Sequence, residues 1–167
     1  MKITKTLFLL FALIATTATF AQDKKPASPA ATTTGKINGA NITINYSSPG
    51  VKGRTIYGEL VPYGKIWRAG ANAPTTLETD KTLKIEGKEL PAGKYAVYVI
   101  PEKDSATVIF GKDPSVGFNK YNEELDALRV KVKTKKSKQL TERLVYTINK
   151  NSITLSWEYT DISLKVK

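Results

Sequence analysis

Residues 46–76 read YSSPGVKGRTIYGELVPYGKIWRAGANAPTT, a run holding five glycines, three prolines, four Tyr or Trp rings and two arginines. Within it Tyr63, Trp67, Arg68 and Asn72, with Arg54 upstream, are the side-chain types from which a sugar or carboxylate site is built. Aromatic faces stack on the apolar faces of sugars, a guanidinium forks onto anionic oxygens, and an amide both donates and accepts. The same residues have an architectural reading. Trp67 would plug a core, Arg68 would pair with a carboxylate such as Glu59 or Glu78, and the glycines would only turn the chain.

The rest of the chemical inventory is short. The 167 residues include no His and no Cys, which removes the commonest general base, the thiolate nucleophile, disulfides and the usual nitrogen and sulfur metal ligands. No metal site and no cofactor are expected. The serines lack a Gly-x-Ser-x-Gly elbow, the glycines at 50, 53 and 58 match neither phosphate-cradling pattern, and Asp104 and Asp113 are too isolated for a calcium loop. Two carboxylates can run glycoside hydrolysis without His or Cys, and Glu59 and Asp126 are the pair to test for it. Ahead of catalysis, Asp126 is expected to be a structural partner of Arg129 or of Arg68.

A second feature is electrostatic. The formal charge is +11, and Arg129, Lys131, Lys133, Lys135, Lys136 and Lys138 follow one another with no acid between Ala127 and Thr141. Alternation along a strand would gather them into one surface stripe, suited either to an anionic envelope surface or to guarding a strand edge against aggregation.

Export is expected from the N-terminus. Lys2 and Lys5 precede an apolar run over 7–18 that is too short to span a bilayer, and Thr19-Phe20-Ala21 offers small residues before Gln22. The reading is a signal peptide over 1–21, leaving a soluble periplasmic or extracellular chain without a transmembrane segment. Outside the cell the polyanions are wall polymers, acidic sugars and lipid head groups, so nucleic acid is not the expected partner. Residues 22–34, QDKKPASPAATTT, contain no large apolar side chain and read as a flexible leader. The domain is then 35–167, without Cys, and must rest on a hydrophobic core.

Period-two alternation dominates that domain. Ile42/Ile44/Tyr46, Leu128/Val130/Val132, Leu144/Tyr146/Ile148, Ile153/Leu155/Trp157 and Ile162/Leu164/Val166 each mark a half-buried strand, while 95–100 is apolar almost throughout and suits a strand covered on both faces. Asn38-Gly39, Glu86-Gly87 and Pro91-Ala92-Gly93 supply turns. One short helix is expected over 122–128, capped by Asn122. The sum is an all-β antiparallel sandwich, jelly-roll-like, with the glycine- and aromatic-rich segment over one end or face.

Tyr46-Ser47-Ser48-Pro49, Gly53-Arg54, Leu60-Val61-Pro62-Tyr63-Gly64, Trp67-Arg68-Ala69-Gly70-Ala71-Asn72 and Leu90-Pro91-Ala92-Gly93-Lys94-Tyr95, continued by 126–130 and Trp157-Glu158, resemble the secreted bacterial domain of unknown function 2911. The resemblance covers nearly all of the domain and implies no activity. The functional expectation therefore comes from the residues: non-enzymatic binding of a carbohydrate or other envelope ligand, with Trp67 and Arg68 as main contacts. A glycan hydrolase using Glu59 or Asp126, and a structural or partner-binding envelope protein, are the alternatives.

Overall fold

Alternating apolar residues become antiparallel strands along most of the chain. In a computed structural model, described over residues 26–115 and 120–167, the strands are β1 (Ala30–Ile37), β2 (Ala40–Ser47), β3 (Thr76–Thr79), β4 (Leu83–Ile85), β5 (Lys88–Leu90), β6 (Gly93–Pro101), β7 (Ser105–Gly111), β8 (Asp126–Asn149) and β9 (Ser152–Lys165). Seven of them form one sheet in the order β1-β2-β3-β6-β7-β8-β9, and β4 and β5 form a separate hairpin. Asn38 (φ 49°) and Gly39 (φ 79°) join β1 to β2, the paired left-handed residues that a two-residue hairpin turn requires. The inward rows of β2, β8 and β9, among them Ile42, Ile44, Leu128, Val130, Leu155 and Leu164, make the main core. β6 is buried on both faces: Val97 and Val99 point into that core, while Ala96 and Tyr98 lie outside it with Ile109, beneath Ile66, Ile100 and Tyr121.

The last two strands curl the sheet. A straight strand of 24 residues would run roughly 80 Å, far beyond a domain of this size, whose radius of gyration is about 14 Å. β9 instead doubles back at Glu158 (φ 56°): Ser156 Oγ donates to Asp161 Oδ1 (2.6 Å), Thr154 and Ser163 hydroxyls meet at 3.0 Å, and Val166 N–H donates to Asn151 O (2.9 Å), all in one antiparallel register. β8 follows with a break in register between Lys136 and Thr141. Its first part pairs with β7, from Ser105 opposite Lys133 to Phe110 opposite Leu128, and its second part returns to the start of the sheet. There Leu144 N–H donates to Pro49 O (3.0 Å), Val51 N–H donates to Glu142 O (2.8 Å) and Thr33 Oγ1 donates to Tyr146 O (3.0 Å).

The all-β antiparallel class is as expected, but the layering differs. The folded-over β8–β9 ribbon carries the sheet round to meet β1, giving a barrel-like closure where two separately stacked sheets were expected. At its centre lies an apolar cavity of about 20 Å³, lined by residues including Val97, Val99, Phe110, Tyr146 and Leu155.

Two boundaries also move. The expected leader over 22–34 gives way to strand at Ala30, because the threonines of β1 are held by the backbone ladder to β2 and by the Thr33 hydroxyl bond and need no large apolar side chain. The expected helix over 122–128 shrinks to a 3-10 turn, Glu123–Leu125, where Asn122 Oδ1 accepts from Glu124 N–H as anticipated, and β8 starts at Asp126. Residues 1–21, expected to be a signal peptide, lie outside the described residues. Among the described residues no helix is long and apolar enough to cross a membrane.

Candidate functional site

The segment between β2 and β3 is non-repetitive but firmly bonded. Trp67 N–H donates to Val99 O and Val99 N–H returns the bond to Trp67 O, each at 2.8 Å; Gly64 N–H donates to Pro101 O and Val97 N–H to Thr75 O, also at 2.8 Å. These bonds lay residues 64–75 along the part of β6 that β3 does not reach. Alternation then sends Ile66 to the outer apolar cluster and the Trp67 indole to the main core.

Trp67 stacks on Trp157 (5.7 Å between ring centroids, 20° between planes), and Tyr57 stands edge-on to both, at 6.3 and 6.5 Å. The Trp67 Nε1–H donates to Gly70 O (3.0 Å). Ala69 beside it is fully buried at φ 52°, a conformation that costs a residue other than glycine roughly 1–3 kcal/mol. Its carbonyl is fixed by two donors, Tyr146 Oη at 2.9 Å and Thr75 Oγ1 at 3.1 Å.

The other candidate ligand-binding residues are distributed around this stack. Arg68 is partly exposed and its Nη1 donates to Asn72 O (2.7 Å); exposed Asn72 (φ 54°) donates from Nδ2 to Ser28 O (3.2 Å). Arg54 binds its own turn, donating from Nε to Val51 O (3.0 Å) and from Nη2 to Gly50 O (2.6 Å). Tyr63 is 45 % exposed and leans over Gly58, where any Cβ would lie 2.9 Å from the ring. The structure thus joins Arg68 to Asn72, turns Trp67 inward, and leaves Tyr63 and its neighbour Leu60 at the surface.

Of the two candidate acids, Glu59 is exposed on the same turn, whereas Asp126 heads β8 and is enclosed. Tyr121 Oη donates to Asp126 Oδ2 (2.8 Å), and Arg129 donates from Nε to the same oxygen (2.5 Å), from Nη1 to Glu123 Oε1 (2.8 Å) and from Nη2 to Tyr121 Oη (2.7 Å). Burial, followed by the bond to Asp126, pushes the Tyr121 hydroxyl up to about 12. Since the folded value lies above the ordinary value near 10, this group's contribution to stability is complete below about pH 10 and fades as pH rises through about 12. The melting temperature is therefore expected to fall between pH 10 and 12, and less steeply in Tyr121→Phe. Parallel slopes for the two proteins, followed by circular dichroism, would remove Tyr121 from that account.

The basic stripe is only partly free. Arg129 is engaged as above, and Lys131 Nζ pairs with Glu102 Oε2 (2.8 Å). Lys133 faces Ser105 and Lys135 faces Asp161 in strand register, and these two with Lys136 and Lys138 are exposed and in no ion pair among the described residues.

Two groups escaped the selection made from sequence. The Tyr57 hydroxyl and the Trp157 Nε1–H are buried without a hydrogen-bond partner among the described residues. Burial first, then the nearby Glu158 and Asp161 carboxylates, drive the Tyr57 hydroxyl far above its usual range. Glu158 Oε1 also accepts the Ile56 N–H (3.2 Å), which ties the turn bearing Tyr57 to the bend in β9. The signal that could have found them is the chain's count of two tryptophans, one in each of two distant motifs.

No curated protein and no solved structure matches the chain. A family model does, over residues 28–166, which takes in every strand described above, and the chain accordingly belongs to the family described as protein of unknown function, DUF2911.

Proposed function

We propose that the protein is an exported, non-enzymatic binding domain that takes a carbohydrate or other cell-envelope ligand on the segment between β2 and β3. The observation that supports this reading is the combination of stiffness and display in that segment. Lys52, Ala69 and Asn72 are all left-handed without being glycine, the backbone is tied to β6 and β8, and Tyr63 still stands 45 % exposed beside partly exposed Trp67 and Arg68. A loop fixed in costly backbone conformations on a rigid sheet is the usual setting of a recognition surface. Lys133, Lys135, Lys136 and Lys138 would favour an anionic envelope surface nearby.

The test is thermal unfolding with a panel of envelope glycans and wall fragments. A bound ligand at about 100 times its dissociation constant raises stability by roughly 2.7 kcal/mol. The expected result is a shift with one glycan class that Tyr63→Ala and Arg68→Ala reduce while remaining folded. Should no panel member shift the wild type, the segment is a plug and the reading fails. The hydrolase alternative gains no support from the acids, since Asp126 is occupied by bonds from Arg129 and Tyr121 and Glu59 lies exposed on a different segment.

A further inference from the structure

We propose that the Tyr57–Trp67–Trp157 box is a binding site for an uncharged, hydroxyl-bearing ligand of the chemistry of a neutral sugar, a proposal that rests on the segment's role in binding. An indole N–H is a donor only, and a phenol both donates and accepts. Here Trp157, 1 % exposed, and Tyr57 each bury such a group with no partner among the described residues, an arrangement that native folds rarely retain without a use. One ligand oxygen can take the indole proton and exchange a bond with the phenol. Tyr57 and Trp67 are both partly exposed, so the box borders the surface, where an aromatic ring can meet the apolar side of a sugar.

Charge selects the ligand class. The charged groups that act on the Tyr57 hydroxyl are Glu158 and Asp161, both carboxylates. A further anion would be repelled there, whereas a neutral hydroxyl can donate to a carboxylate and accept from the indole. The box therefore favours uncharged glycans over uronic-acid ones.

The experiment uses the two tryptophans as the reporters, because the chain has no others. The protein carrying ¹⁵N-labelled indoles is titrated with chitotetraose and, separately, with tetragalacturonate. With chitotetraose the Trp157 Nε1–H resonance is expected to move downfield saturably, while that of Trp67, already bonded to Gly70 O, moves less. Tyr57→Phe, which removes one oxygen and little volume, is expected to weaken chitotetraose binding roughly five- to tenfold and to leave the unliganded melting temperature equal or higher. If chitotetraose stabilises the wild type, depends on Tyr63 and yet ignores Tyr57→Phe and the Trp157 resonance, the box is not the site although the segment binds. A preference for tetragalacturonate overturns the uncharged class. If neither saccharide binds and Tyr57→Phe lowers the melting temperature, the phenol is satisfied within the fold and the proposal is lost.

Discussion

Trp157→Ala is expected to be among the most damaging single substitutions in the molecule, costing about 3–5 kcal/mol. Trp157 is the largest fully buried side chain, and its removal leaves a cavity directly under Trp67 and Tyr57. The loss would take a large fraction of the stability of a domain worth roughly 5–15 kcal/mol and depress the melting temperature by on the order of 10 °C. Denaturant unfolding measures it, and a cost below about 1 kcal/mol would mean that the stack does not hold the segment down. The comparison with Trp67→Ala sharpens the point. Trp67 is partly exposed and its backbone pairing with Val99 survives truncation, so its cost should be visibly smaller.

Gly35→Ala is the second, and there the sign of the effect is diagnostic. In an ordinary strand, replacing glycine by alanine stabilises by about 0.5–1 kcal/mol. At Gly35 a Cβ would stand 2.7 Å from Ile148 Cγ2 and 2.9 Å from its Cβ, distances that neither strand can relieve without moving apart. The expected result is a loss of about 1–3 kcal/mol, with much of it recovered in the double variant Gly35→Ala/Ile148→Ala. A stabilised single variant would show that β1 and the second part of β8 do not press together.

The sequence was informative where side chains alternate and silent where contact is made at a distance. The alternating runs read from the sequence lie in strands, with Val166 falling one residue past the end of β9, and the two runs on either side of Glu158 are the two arms of that strand. Asn38-Gly39 forms the turn its φ preferences allow. The start of β1 escaped notice because two alanines and three consecutive threonines leave no alternating hydropathy trace, although their backbone pairs fully with β2. The folding-over of the β8–β9 ribbon was equally hidden, for local alternation is the same in a straight strand and a bent one. In the candidate site, residue types were legible but partners were not. Nothing in the spacing of Arg54 reveals that its guanidinium binds the carbonyls of Gly50 and Val51, or that Trp67 finds Trp157.

The closure of the sheet has a kinetic consequence. Thr33 and Tyr146, whose bond joins β1 to the second part of β8, are 113 residues apart in sequence. Contacts of such separation delay folding, since a long loop must be ordered before they can form. Until β8 and β9 are in place the sheet is unfinished, and Trp67 lacks the Trp157 ring that covers it. The ring should thus close after its short-range hairpins have formed, which leaves the barrel open for the early part of folding.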